Sequence, residues 1–219
     1  MVDLGALTDV VLFRDLGPDA LEIIGGAASL RSFARGDVVF SLDDDPTELF
    51  VVESGRVAIA NRSDDGRESL IALMERGDLF GEMPLFDGLP RSAEARALEE
   101  STVIAIPYDP LRQVFEAEPG HLWRVVELLA GRLRITDEAL ADSVFLDVTG
   151  RTAKRLLELA GESDEFELPI TQEELAGMVG ASRERVNKAI ASFIRLGWLD
   201  QSDGHYTITN RQQMTIRAR

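Results

Sequence analysis

Three side chains in the segment Phe80 to Ala97 are of the types that hold a phosphorylated sugar. Gly81, Glu82 and Met83 read as the opening turn of a short helix, where unsatisfied backbone N–H groups make an anion site. Ten residues after Gly81 comes Arg91-Ser92, a guanidinium beside a hydroxyl. Brought to one place, these groups would bind a phosphate, and Glu82 would accept hydrogen bonds from sugar hydroxyls. Pro84, Gly88 and Pro90 restrict the loop between them. On these residues alone, a solvated loop with an incidental arginine explains the segment equally well.

A second cluster lies near the other end of the chain, at Ser182, Arg183, Glu184, Arg185 and Lys188. Before it, Thr171-x-x-Glu174 forms a capping box that opens a helix over Leu175 to Val179, and Gly180-Ala181 makes a tight turn. Ser182 caps the following helix. Val186, Ala189, Ile190, Phe193 and Gly197 share one face of it, with Glu184, Lys188 and Arg195 opposite and Arg183 at the N-terminal tip. Two short helices around a tight turn, with polar residues at the start of the second, make the helix-turn-helix pattern. Trp198 to Asp200 and Tyr206 to Thr209 then flank Ser202-Asp203-Gly204 as a hairpin. Glu184 and Lys188 also form an i,i+4 pair, and mutual stabilisation is the plainer alternative for them.

The elements that must position these clusters differ in texture. From Arg31 to Ile106, short apolar runs alternate with turn sequences: residues 38–40, 49–60, 68–74 and 101–107, separated by Arg35 to Asp37, Asp43 to Pro46, Glu53 to Gly55, Ser63 to Gly66 and Arg76 to Asp78. Many short strands at regular spacing predict a sandwich or barrel. Residues 1–30 read as short helices, one running from Pro18 to Leu30, and Asp109-Pro110 caps another. Pro119 opens a long helix to Ser143. In it Leu122, Leu129, Thr136 and Ser143 alternate with Val126, Leu133 and Leu140 as an a/d seam. So narrow a seam predicts a partner helix and a homodimer. A core helix of an ordinary domain is the alternative on pattern alone. Asp147 caps a further helix over Val148 to Leu159 and is the expected hinge; the acidic stretch Gly161 to Pro169 reads as a loop.

Composition narrows the function classes. The chain has 219 residues, 45% of them apolar and 28% charged, as expected of a soluble globular protein. No apolar run reaches membrane-span length and the N-terminus lacks a signal-peptide profile, so the expected location is the cytoplasm. The absence of cysteine excludes disulfides, thiolate metal sites and cysteine nucleophiles. The two histidines, His121 and His205, are expected at the surface, with no metal site. A cupin-type barrel enzyme would need histidine ligands that residues 31–107 lack, so the chain is not expected to be an enzyme. The net charge of −16 is uneven: residues 1–150 hold 13 Lys+Arg against 29 Asp+Glu, and residues 151–219 hold 10 of each. An acidic body repels DNA except at a locally basic tip.

The segment containing Gly81-Glu82, Leu85-Phe86 and Arg91-Ser92 resembles the phosphate-binding cassette of the cyclic-AMP receptor protein (CRP/FNR) family of bacterial transcription regulators. Residues 145–151 resemble that family's hinge and residues 170–200 its helix-turn-helix, all in the family's order. The resemblance implies an α+β chain: a cyclic-nucleotide-binding jelly-roll β-barrel over residues 1–118, a dimerisation helix and hinge over 119–146, and a winged helix-turn-helix DNA-binding domain over 147–219.

Carried onto this sequence, the family pattern puts Arg91 and Ser92 on a cyclic phosphate. Glu82 takes the ribose 2′-OH with the Gly81 backbone, Met83 adjoins them, and Thr136 meets the base amine. Asp137 stands where the best-known members have serine. Its carboxylate suits adenine's amine and also guanine's paired N–H donors, so cyclic AMP (cAMP) is the first expected ligand and cyclic GMP the second. A regulator of this fold with another effector, or none, is the remaining alternative.

In the second cluster Arg183 would read guanine, Glu184 a cytosine amine and Lys188 a second guanine as a single donor. Thr171, Gln172, Ser182 and Arg185 would contact phosphates of double-stranded DNA carrying a TGTGA-like palindrome. RNA polymerase is the further partner implied.

Overall fold

The computed structural model describes residues 4–62, 68–202 and 204–219, and the chain divides between Leu133 and Arg134 into two compact units. In the first unit α1 (Leu4–Thr8) and α2 (Pro18–Ala27) lead into strands β1 (Ser29–Phe33), β2 (Val38–Phe40), β3 (Glu48–Ser54), β4 (Val57–Arg62), β5 (Glu68–Met74) and β6 (Leu79–Phe80). After the short α3 (Met83–Asp87) come β7 (Glu94–Ala97), β8 (Ser101–Pro107) and α4 (Tyr108–Ala117). The strands form two four-stranded antiparallel sheets, ordered β1-β8-β3-β6 and β2-β7-β4-β5.

The expected barrel is therefore present, and its central strands read as unbroken apolar runs because both of their faces are covered. In β3, Phe50 and Val52 enter the core between the sheets, where Phe80, Val57, Ala95, Val103 and Ala105 meet them. Leu49 and Val51, on the opposite face, join Ile104, Ile106, Leu111, Val114, Phe115, Ile24 and Phe13 in a second core beneath the helices. Phe40, Phe50 and Phe80 form an aromatic cluster with ring centroids 5.3–6.0 Å apart.

Boundaries differ from the sequence reading in places. α2 stops at Ala27, and Leu30, expected in that helix, lies in β1, an edge strand paired only with β8 whose residues are mostly exposed. Exposure removes the alternation that reveals a strand. The segment after Arg91 contains β7, where Ala95 and Ala97 are buried while Glu94 and Arg96 lie partly exposed. α4 begins at Tyr108, with Pro107 rather than Asp109 at its cap position. A 3₁₀ turn, Pro119–His121, precedes the long helix α5 (Leu122–Phe145). The turn expected at Ser63 to Gly66 lies outside the described residues.

In the second unit, the latter part of α5 is followed by α6 (Val148–Ala160), β9 (Glu165–Glu167), α7 (Gln172–Val179), α8 (Arg183–Arg195), β10 (Leu199–Ser202), β11 (His205–Ile208) and α9 (Arg211–Arg217). The Asp147 carboxylate accepts the Gly150 N–H at 2.8 Å, the expected cap. The Thr171–Glu174 box is closed in both directions, at 2.6 and 3.2 Å, and Ser182 accepts from Arg185 at 3.4 Å. Gly180 ends α7 at φ 66°, a left-handed conformation suited to glycine. Gly197 does not belong to the buried face of α8. It lies past the helix end and is exposed.

β10 and β11 pair as the expected hairpin; Asp203, at its turn, lies outside the described residues. The stretch expected as an acidic loop contributes β9, which pairs with β11. His205 is exposed beside Glu167, as expected. His121, by contrast, is largely covered and lies 3.1 Å from Glu118.

Candidate functional site

Gly81 turns the chain from β6 into α3 at φ 75°, and a Cβ there would meet Arg91 Nη1 at 2.7 Å. That close approach puts the Arg91 guanidinium against the Gly81 carbonyl. Nη1 donates to Gly81 O at 2.7 Å and to Tyr108 Oη at 3.1 Å, and Nη2 donates to Glu48 O at 2.7 Å. The guanidinium lies over the Phe40 ring, 4.1 Å from its centroid, an arrangement that holds a desolvated cation. Arg91 is only 4% exposed, and burial lowers its pKa from the ordinary value, opposed mainly by Tyr108. Its Nε has no partner.

Glu82 is the acidic counterpart. Its side chain is completely buried. One carboxylate oxygen accepts from Arg132 Nη1, while Oε2 has no partner. Arg132 also donates through Nη2 to Leu79 O. Arg132 was not singled out from the sequence; what singles it out is a buried carboxylate, and burial is not written in a helical period. A buried ion with an open lone pair is expensive. So Arg91 Nε–H and Glu82 Oε2 stand open in the cassette as a donor and an acceptor. The pair fits a ligand offering an anionic oxygen and a hydroxyl.

The remaining residues of the first cluster are more open. Ser92 is exposed, its hydroxyl 3.8 Å from the Met83 sulfur, and Met83 is 44% exposed. Thr136 and Asp137 are exposed on α5, Thr136 one turn after Arg132 in the same helix.

In the second unit, Arg183, Glu184, Arg185 and Lys188 are all exposed around the start of α8, while Val186, Ala189, Ile190 and Phe193 anchor its other face. Glu184 and Lys188 pair at 2.7 Å, and this lowers the Glu184 pKa. Thr171 and Ser182 are exposed at their helix starts, but Gln172 is half-buried and its amide donates to Tyr206 at 3.2 Å. Thr149 and Ser192, not singled out from sequence, adjoin this face. A cavity of about 260 Å³ is lined by Asp147, Val148 and Thr149 from the start of α6 and by Arg185, Lys188, Ala189 and Ser192 from α8. The recognised cap at Asp147 was the available signal, since it marks the positive end of a helix.

Residues 30–118 match the cyclic nucleotide-binding domain and residues 150–215 the Crp-like helix-turn-helix domain. The CRP-like cAMP-activated global transcriptional regulator of Mycobacterium tuberculosis is 36% identical over 215 residues, covering 95% of this chain and 96% of that protein. The chain belongs to the CRP/FNR family of transcription regulators.

Among other family members, the cAMP-activated global transcriptional regulator CRP of Salmonella typhimurium is 36% identical over 149 residues, 65% of this chain and 71% of that one. The structure of CLP, described as the c-di-GMP responsive global regulator of Xanthomonas campestris, superposes with a TM-score of 0.76 at 26% identity, over 88% of this chain and 99% of that one. As a family member the chain is a DNA-binding transcription regulator with a cyclic-nucleotide-binding domain. Glu82 and Arg91 fall inside the first matched segment and the start of α8 inside the second. Among the described residues, no helix is long and apolar enough to cross a membrane.

Proposed function

We propose that this chain is a cytoplasmic homodimer whose affinity for DNA is set by cAMP bound in the cassette. The observation that carries the reading is the pair of buried, partnerless atoms, Arg91 Nε and Glu82 Oε2. Bound there, cAMP supplies a phosphate anion and a ribose hydroxyl. Arg91 and Ser92 take the phosphate, Glu82 and the Gly81 backbone take the 2′-OH, and Met83 covers the edge of the site. Thr136 meets the base, with Asp137 beside it.

The dimer reading rests on α5. Leu122, Val126, Leu129, Leu133 and Leu140 are 38–63% exposed along the heptad seam, an apolar stripe that a second copy of the helix would bury. Two copies of α8 would then enter successive major grooves about 34 Å apart. There Arg183, Glu184 and Lys188 read base edges of a TGTGA-like palindrome, and Thr171, Gln172, Ser182 and Arg185 contact phosphates. RNA polymerase is the partner that a promoter-bound regulator of this family would engage. Nucleotide binding shifts the population between arrangements that differ in DNA affinity.

Asp137 favours a second reading, in which cyclic GMP is the effector, because a carboxylate matches two adjacent N–H donors of guanine. Calorimetric titration of the purified chain with cAMP, cyclic GMP and c-di-GMP, followed by binding to a TGTGA palindrome with each, tests both. Tight cAMP binding that strengthens DNA binding supports the first reading. A preference for cyclic GMP that Asp137→Ser reverses supports the second. Binding of neither mononucleotide overturns both.

A further inference from the structure

We propose that Tyr108, outside the cassette in sequence, is the positioning residue that decides which edge of the Arg91 guanidinium meets the ligand. The inference rests on the reading of the cassette as a cyclic-nucleotide site. Tyr108 is 5% exposed and opens α4 directly after β8; its own N–H is tied to Thr47 O at 3.0 Å. Its hydroxyl lies 2.6 Å from Gly81 O and 3.1 Å from Arg91 Nη1.

The directions of these bonds are fixed by chemistry. A carbonyl oxygen only accepts, so the phenol hydrogen goes to Gly81 O. A guanidinium only donates, so the phenol oxygen accepts from Nη1. Burial pushes the Tyr108 pKa up to about 12, which keeps the hydroxyl a donor throughout the neutral range.

Of the five N–H donors of Arg91, two on Nη1 and one on Nη2 are therefore committed to Gly81, Tyr108 and Glu48. The Nε–H and one Nη2–H remain. The Phe40 ring fixes the plane of the guanidinium, and the bonds from Nη1 and Nη2 fix its rotation within that plane, Tyr108 supplying one of the three. Without the hydroxyl, Gly81 and Glu48 would hold the group by two bonds instead of three, and it could tilt to satisfy the second Nη1 proton elsewhere. The cost to the ligand would be loss of a preset direction toward the phosphate.

The test uses the two diastereomers of cAMP in which sulfur replaces one or the other exocyclic phosphate oxygen. A guanidinium held in one orientation distinguishes them; one free to turn does so less. The unaltered chain is expected to prefer one diastereomer. Tyr108→Phe is expected to bind that one about tenfold more weakly, with a narrower ratio between the two and a thermal unfolding midpoint within a few degrees of the original.

In the Arg91→Lys background the same substitution is expected to leave the ratio unchanged, because the fork it orients is gone. An unchanged ratio in Tyr108→Phe alone, a parallel loss for both diastereomers, or failure of that variant to fold would each overturn the positioning role. If the unaltered chain binds neither diastereomer nor cAMP, the cyclic-nucleotide reading itself fails and takes this inference with it.

Discussion

In the barrel, Glu82 and Arg91 are buried, and hydrogen bonds tie them to Arg132, Gly81, Glu48 and Tyr108. At the start of α8, Arg183, Arg185 and Lys188 stand in solvent, and Lys188 pairs with Glu184 one turn earlier. The two designs suit different ligands. A small nucleotide gains selectivity when a few desolvated groups fix its orientation, since each unpaired buried group penalises a wrong ligand. DNA is a long polyanion whose affinity comes from many screened contacts, and flexible exposed cations serve that purpose while the base edges supply selection. Substitutions should therefore be severe and structural in the first region but graded and salt-dependent in the second.

The largest effect is expected at Arg91. Removing its side chain leaves Gly81 O and Glu48 O without their guanidinium partner, so Arg91→Ala should lower barrel stability by about 3 kcal/mol. It should also abolish measurable cAMP binding, read by calorimetry. Next, Glu82→Gln keeps the volume but removes the charge facing Arg132. Affinity for cAMP should fall about tenfold, and the preference for cAMP over its 2′-deoxy analogue should shrink in the same titrations.

At the DNA face, Arg183→Ala should cost about 1–3 kcal/mol and relax selection at one base pair. Arg185→Ala should weaken all sequences alike and flatten the salt dependence by about one charge; a fluorescence assay at several salt concentrations separates the two.

The smallest effect belongs to Asp147. The Gly150 N–H, then Arg217, hold its carboxylate below the usual range. A depressed carboxylate adds stability above its unfolded pKa of about 3.9, and that stability is lost as pH falls through the lower folded value. Asp147→Ala should lower stability at neutral pH by about 1 kcal/mol, the worth of a helix cap, with no difference from the parent once both are fully acidified.

Local chemistry explains why the second unit was more legible than the first. A capping box, a cap serine and a glycine turn act within four residues, and the structure closes those at Thr171, Ser182 and Gly180 where the sequence puts them. β1 was not visible because an edge strand with nearly every residue exposed carries no alternation, and β7 and β9 because four and three residues are too short a run to establish one. α9 likewise carries no periodic apolar face by which it could be found. It packs through Met214, which is fully buried, and Arg217 reaches back to Asp147, 70 residues earlier.

The sequence by itself determined the family, the strand-rich first part, the long heptad helix and the residue types available at both clusters, because those depend on composition and short-range spacing. Only the tertiary structure decided that Glu82 and Arg91 are desolvated, that Arg132 and Tyr108 are their partners, and that Glu82 Oε2 and Arg91 Nε remain open. Burial and long-range hydrogen bonding are properties of packed surfaces, and no local pattern encodes which carbonyl a guanidinium will meet.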